Sequence, residues 1–170
     1  MDFKASIRNI PDFPREGIIF RDITTLIKDR EAYPALIDEV AESLREYDID
    51  VVVGPEARGF ILGAPTAYAI RAGFIPARKA GKLPCDIESA EYELEYGSAK
   101  IEIHKDAIKP GMRVALVDDL LATGGTAKAV CDLIERMGGK VVAIRFAIEL
   151  TELGGRETLS DYDVDAIIKY

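Results

Sequence analysis

The chain has 170 residues, enough for one domain with a substantial core. With 48% hydrophobic and 31% charged residues it has the balance of a water-soluble globular protein. The net charge of −8 argues against a general binder of nucleic acid or anionic membrane, since both need a basic surface, but leaves room for a local basic pocket that holds a small phosphate ligand.

In chain order, residues 2–8 suit a short helix with Phe3, Ile7 and Ile10 on one side, and Pro11, Asp12, Phe13, Pro14 and Gly17 then break regular structure. Ile18-Ile19-Phe20-Arg21-Asp22-Ile23-Thr24-Thr25 follows, apolar but irregularly patterned. It reads in two ways. As an edge strand it covers the core, the usual fate of an aromatic residue. As part of a site, Phe20 offers a face to a flat ring while nearby main-chain groups read the ring's edge.

Leu36, Ile37, Val40, Ala41 and Leu44 form one stripe, which predicts a helix over 30–47 with Pro34 in its first turn. Ile49 to Val53 reads as a buried strand ending at Gly54-Pro55, and a helix with small residues runs on to about Ala72. Arg58 falls at that strand's carboxyl end, where it can bind phosphate with two parallel hydrogen bonds or form a surface salt bridge. A third strand, Phe74 to Ala77, runs into Arg78-Lys79-Ala80-Gly81-Lys82-Leu83-Pro84 and then into an acidic segment. Three cations at a strand end in an acidic protein suit an anion site. Residues 92–96 and 99–103 alternate apolar and polar around Gly97-Ser98, which predicts a β-hairpin suited to act as a lid. His104, the only histidine, has no nucleophile or metal partner spaced near it and reads as a surface residue.

After Pro110-Gly111 comes the stretch around which the chain is organised: Val114-Ala115-Leu116-Val117-Asp118-Asp119-Leu120-Leu121-Ala122-Thr123-Gly124-Gly125-Thr126. Apolar residues come first, then paired carboxylates, then a small Thr/Gly turn. Ala127, Ala129, Val130, Leu133, Ile134 and Met137 then recur at helical spacing. A buried parallel strand is a continuous apolar run, and ligands of open α/β sheets bind at carboxyl ends. The turn lacks bulky side chains, so its amides and the following helix's positive end can converge on a phosphate. The acids would repel that phosphate. They suit another part of the same ligand, such as the two hydroxyls of a ribose. The turn is not a P-loop, because no Lys follows Gly125.

Gly138-Gly139 ends the helix, Val141 to Ile148 and Val164 to Ile168 are further strands, and Glu152 to Leu159 is a loop or short helix. The sum is five parallel strands near residues 50, 75, 115, 144 and 166 in one doubly wound α/β domain. The N-terminal segment packs as a hood near the strands' carboxyl ends. Cys85 and Cys131 have no metal-ligand spacing, and a disulfide is not expected. No apolar run approaches the ~20 residues that span a bilayer. Met1-Asp2-Phe3-Lys4 carries no signal-peptide pattern, so a cytoplasmic location is expected.

Residues 114–126 resemble the phosphoribosyl pyrophosphate motif of type I phosphoribosyltransferases. Four further segments extend the resemblance over almost the whole chain and narrow it to the members that act on adenine. They are Phe13-Pro14-x-x-Gly17-Ile18-x-Phe20-x-Asp22-Ile23-Thr24, Arg58-Gly59-Phe60, Arg78-Lys79-x-Gly81-Lys82-Leu83-Pro84 and Tyr92-x-Leu94-Glu95-Tyr96-Gly97. The last is the most specific for adenine. The acidic stretch Cys85 to Glu91 matches no family expectation.

The resemblance implies a five-stranded, mainly parallel α/β sheet flanked by helices, with a hood over 1–28 and a mobile loop and hairpin lid over 80–104. It also implies a reaction of purine salvage, in which adenine and phosphoribosyl pyrophosphate give AMP and pyrophosphate with Mg²⁺ held mainly by the substrate, in a homodimer. Ala122, Thr123, Gly124, Gly125 and Thr126 would hold the ribose-linked phosphate, and Asp118 and Asp119 the ribose hydroxyls. Arg58 and Lys82 would meet pyrophosphate, with Arg78 reaching it from a neighbouring subunit. Phe20 would stack on adenine while the main chain at Ile19 and Arg21 reads its edge, and Glu95 would exchange a proton with the base. Two alternatives stay open: a transferase for hypoxanthine, guanine or xanthine, and a non-catalytic regulatory relative.

Overall fold

The computed structural model describes residues 1–93 and 97–170. Its centre is a seven-stranded sheet. Five strands run parallel: β3 (Val51–Pro55), β4 (Gly73–Lys79), β7 (Arg113–Leu121), β8 (Lys140–Glu149) and β9 (Val164–Lys169), in the spatial order β4-β3-β7-β8-β9. These are the five apolar runs of the sequence. β3 shows why they are continuous rather than alternating. Val51 and Val53 face one core with Leu133 and Ile134 of helix α4 (Gly125–Arg136), while Val52 faces another with Leu36 and Val40 of helix α2 (Ala32–Glu42). Both faces are covered, so both are apolar. Helix α3 (Arg58–Ile70) joins β3 to β4, sharing α2's side with buried Leu62 and Ala67.

The predicted hairpin is present with different limits. β5 (Ile87–Glu93) and β6 (Ser98–His104) pair antiparallel, and β6 joins the main sheet through β4. Most of the acidic stretch, from Ile87 to Glu91, is thus a strand. It lacks a clean period-2 signal because β5 is an edge strand, with few positions facing the core. Residues 94–96, which the sequence reading placed in this hairpin, lie outside the described residues.

The N-terminal segment departs from the predicted helix. Only Phe3–Ser6 is helical, as one 3-10 turn, and β1 (Arg8–Pro11) then pairs antiparallel with β2 (Ile19–Asp22) in a separate ribbon. Asp22 anchors it. Its carboxylate accepts from Arg8 Nε at 3.0 Å, the Thr24 hydroxyl at 2.6 Å and the Thr24 amide at 2.9 Å. These bonds, Thr24's first and then Arg8's, hold the Asp22 carboxyl down at about 2. Helix α1 (Thr24–Ile27) follows directly and buries Leu26. The predicted 30–47 helix stops at Glu42, and a 3-10 turn, Arg45–Tyr47, completes the span. A short helix, α5 (Gly155–Thr158), precedes β9. None of the described helices is long and apolar enough to cross a membrane.

Candidate active site

A cleft of about 280 Å³ opens at the carboxyl ends of β3 and β7. It is lined by Pro55 to Arg58 from the β3–α3 turn, by residues 118–127, and by Lys79, Tyr92 and Phe146. The acid pair enters it from inside a strand. β7 continues to Leu121, so Asp118 is still in register with Phe146 rather than in a loop beyond the strand. Successive strand residues point to opposite faces, so adjacent acids in one strand differ in surroundings.

Asp119 is closed off, with a side chain 8% exposed, and receives Arg58 Nε at 2.9 Å. The Asp118 carboxylate accepts the Asp119 amide at 2.8 Å. It is also crowded by Gly59, where an added Cβ would fall 2.9 Å from Asp118 Oδ1 and 2.8 Å from Pro55. The glycine of Arg58-Gly59-Phe60 is therefore what lets α3 start against the acid pair. Burial pushes both carboxyls up. Asp118 rises furthest because the Asp119 charge adds to the effect, whereas Arg58 partly offsets it for Asp119.

The anion-binding turn follows. Gly124 has φ +85°, and a Cβ there would strike the Gly155 carbonyl oxygen at 2.8 Å, so this position requires glycine. No side chain caps α4, and Lys128 is bonded back to Gly124 O at 2.9 Å. The amides of the first turn have no acceptor within the helix, so they and the helix dipole present positive potential to the cleft.

The base side of the site is built by the hood. The Arg58 guanidinium lies 5.8 Å from the Phe20 ring centre, and Phe13 meets Phe20 edge-on at 5.2 Å. The ribbon thus reaches the carboxyl end of β3. Ile19 is half exposed, and with Ile18 and Arg21 it lines a hollow of about 320 Å³ shared with Leu150, Leu153 and Tyr170. The Arg21 side chain is committed elsewhere, 3.9 Å from the Tyr170 ring centre and 2.6 Å from Asn9 Oδ1. Only its main chain is left to face a base.

The cations divide unevenly. Arg58 is in the cleft. Arg78 is paired within its own chain to Glu56 at 3.5 Å, and the same Glu56 carboxylate accepts the Lys79 amide at 2.5 Å. Lys82 is exposed and is not among the residues lining the cleft, whereas Lys79 is. Glu56 and Phe146 are cleft residues that the sequence reading did not single out, and Lys79 is one that it grouped with the strand-end cations without a role of its own. Glu56 was legible as a polar residue at a strand end beside Arg58. Phe146 was not, because its place depends on the β7–β8 register. Glu95 lies outside the described residues, but Tyr92 lines the cleft and the Glu93 carbonyl oxygen approaches Gly125.

Comparison with known proteins agrees with this geometry. Residues 24–169 match the family "Phosphoribosyl transferase domain". The adenine phosphoribosyltransferase of Clostridium acetobutylicum is 58% identical over all of this chain and 99% of its own length. The crystal structure of the Thermoanaerobacter pseudethanolicus adenine phosphoribosyltransferase superposes with a TM-score of 0.95 at 52% identity, covering 98% of this chain and 97% of that one. The Saccharomyces cerevisiae enzyme, solved with an imino-altritol bisphosphate and adenine, gives 0.90 at 41% identity, covering 96% and 94%.

Proposed function

The chain belongs to the phosphoribosyl transferase family, among its adenine phosphoribosyltransferases, and from that premise we propose how its own residues divide the reaction. The enzyme transfers the phosphoribosyl group of phosphoribosyl pyrophosphate to adenine, giving AMP and pyrophosphate. The observation that carries the assignment of roles is the convergence in one cleft of an acid pair, an amide-lined turn and Arg58, with Phe20 facing that arginine.

Ala122 to Thr126 hold the sugar's phosphate, and Asp118 and Asp119 receive the ribose hydroxyls. Arg58, assisted by Lys79 or Lys82 and by Arg78, meets the pyrophosphate. As the bond to pyrophosphate breaks, negative charge grows on the leaving group and positive charge on the sugar. Cations and carboxylates placed beforehand at those two ends lower the barrier without reorganising. Phe20 holds the purine face so that its nitrogen lies in line with the anomeric carbon. Glu95 exchanges a proton with the base as its charge changes, a role supported by its place in the Tyr92–Gly97 motif, next to the cleft residue Tyr92.

Mg²⁺ is the expected metal. The cleft's acidic oxygens, from Asp118, Asp119 and Glu56, are hard donors that suit it, yet no three metal-ligating side chains cluster among the described residues. Substrate oxygens would therefore complete its shell, and the ion would neutralise charge on the departing pyrophosphate. A homodimer is supported by the family resemblance and by Ile61 and Tyr68, which are exposed on α3. A cytoplasmic setting fits a purine-salvage enzyme of this kind.

The test is nucleotide formation from phosphoribosyl pyrophosphate and Mg²⁺ with adenine, hypoxanthine, guanine and xanthine separately. AMP from adenine with little product from the others is expected. Comparable turnover of a 6-oxo purine would overturn the reading of the hood.

A further inference from the structure

The turn that holds the sugar phosphate leans on a second layer of structure, and that layer contains a side chain aimed at one of its peptide groups. α5 packs directly behind the turn. A Cβ on Gly155 would lie 2.3 Å from the Ala122 carbonyl oxygen, and one on Gly124 would lie 3.0 Å from Thr158 Cβ. The Thr158 hydroxyl donates to the Thr123 carbonyl oxygen at 2.8 Å. α5 is itself fixed. Arg156 gives two parallel hydrogen bonds to the buried Glu149 carboxylate, 2.7 and 2.8 Å, and a third at 2.6 Å to the Val164 carbonyl. Leu159, just after α5, is fully buried.

The peptide that Thr158 grips is one able to turn over. Thr123–Gly124 precedes a glycine at φ +85°, and a glycine accepts either orientation of the preceding peptide at little cost. A flip would exchange the Gly124 amide for the Thr123 carbonyl on the cleft side of the turn. A phosphate that meets a carbonyl oxygen there loses a donor and gains a repulsion. We propose that Thr158, held in place by the Arg156–Glu149 pair, is a positioning residue that locks the Thr123–Gly124 peptide in its phosphate-binding orientation. Thr158 touches no substrate. It acts by keeping the turn in one of two available arrangements before the ligand arrives.

This inference rests on the assignment of residues 122–126 to the sugar phosphate. Thr158→Val removes the hydroxyl and keeps the shape. Wild type, Thr158→Val and Thr158→Ser are compared in calorimetric binding of ribose 5-phosphate, pyrophosphate and adenine, and in steady-state kinetics. A single lost hydrogen bond predicts a roughly two- to tenfold weaker affinity of Thr158→Val for ribose 5-phosphate. KM for phosphoribosyl pyrophosphate should rise by a similar factor, more than kcat falls. Binding of pyrophosphate and adenine should hold, and Thr158→Ser should restore the wild-type values. Unchanged ribose 5-phosphate affinity in Thr158→Val overturns the proposal, and so does an equal loss for all three ligands, which would mean a general structural role. If Thr158→Val does not fold, Thr158→Ala removes the same hydroxyl without an added carbon and is read by the same criteria. A wild-type protein that binds ribose 5-phosphate but makes no AMP would instead overturn the parent assignment of function, a distinct outcome.

Discussion

At the scale of single residues, the acid pair places function in tension with stability. Both carboxyls are raised by burial, Asp118 further by Asp119. Well below pH 4, the pair is protonated whether the chain is folded or not. As pH rises, the unfolded chain ionises freely while the folded one resists, so folding stability falls through the window between the ordinary and the raised values. Replacing Asp118 with Asn should therefore raise the melting temperature at pH 7 and leave it nearly unchanged at about pH 2.5. A thermal melt series checks this, and a drop at pH 7 would refute it. Replacing both acids with Asn should weaken phosphoribosyl pyrophosphate binding by roughly 10- to 100-fold, the loss expected from charged hydrogen bonds. Glu95→Gln is expected to lower kcat by at least about 100-fold with substrate affinity largely kept, as measured by single-turnover kinetics. The acid pair, the Thr/Gly turn and Arg58 could be read from the sequence because they lie beside apolar strands whose carboxyl ends mark a ligand site. Lys79 could be read only as one of three cations at a strand end, and Phe146 and Thr158 could not be read at all. The last two reach their places through strand register or a contact across the fold, and neither carries a local signature.

At the scale of elements, the five parallel strands were legible because burial on both faces leaves unbroken apolar runs. In the hood ribbon β2 was legible only as one of two readings of 18–25, and β1 and the edge strand β5 were not, since exposed pairing strands need no hydrophobic pattern. What substitutes for burial in the hood is Asp22, which ties Arg8 on β1 to the start of α1 through Thr24. Its lowered carboxyl contributes stability above the ordinary carboxylate range, and that contribution is lost as pH falls towards about 2. Asp22→Asn should loosen the ribbon that carries Phe20. The expected outcome is a several-fold higher KM for adenine with little change for phosphoribosyl pyrophosphate. A matched rise in both would assign Asp22 to global folding.

At the scale of the whole molecule, a buried polar anchor lies in the middle of β8, in register with Val117 and directly before the cleft residue Phe146. Arg145 on β8 is buried. It bonds the Asp163 carbonyl ahead of β9 at 3.1 Å, and the Ser43 hydroxyl and the Tyr47 hydroxyl beyond α2, each at 3.1 Å. It thus joins residues about a hundred positions apart in the sequence. Arg145→Met removes one partner each from Ser43, Tyr47 and Asp163, although Ser43 keeps its bond to the Val40 carbonyl and Asp163 those from Tyr47 and the Ile144 amide. It should lower unfolding free energy by about 1–3 kcal/mol, with kinetic constants kept at temperatures where the fold persists. Denaturant unfolding and assays on the same preparation check both parts. A variant that loses activity before it loses structure would show the anchor and the cleft to be coupled.

The Arg58–Asp119 contact at 2.9 Å also governs how the two halves of the ligand communicate. In the resting cleft each charge answers the other. A fragment bearing only phosphoryl groups draws Arg58 away and strands a carboxylate in a dry pocket, and one bearing only hydroxyls meets a carboxylate already engaged. A ligand with both halves replaces one internal pair with two external ones. Pyrophosphate and ribose 5-phosphate should therefore report a superadditive affinity for the intact donor, making the cleft a recogniser of connectivity as much as of chemical groups.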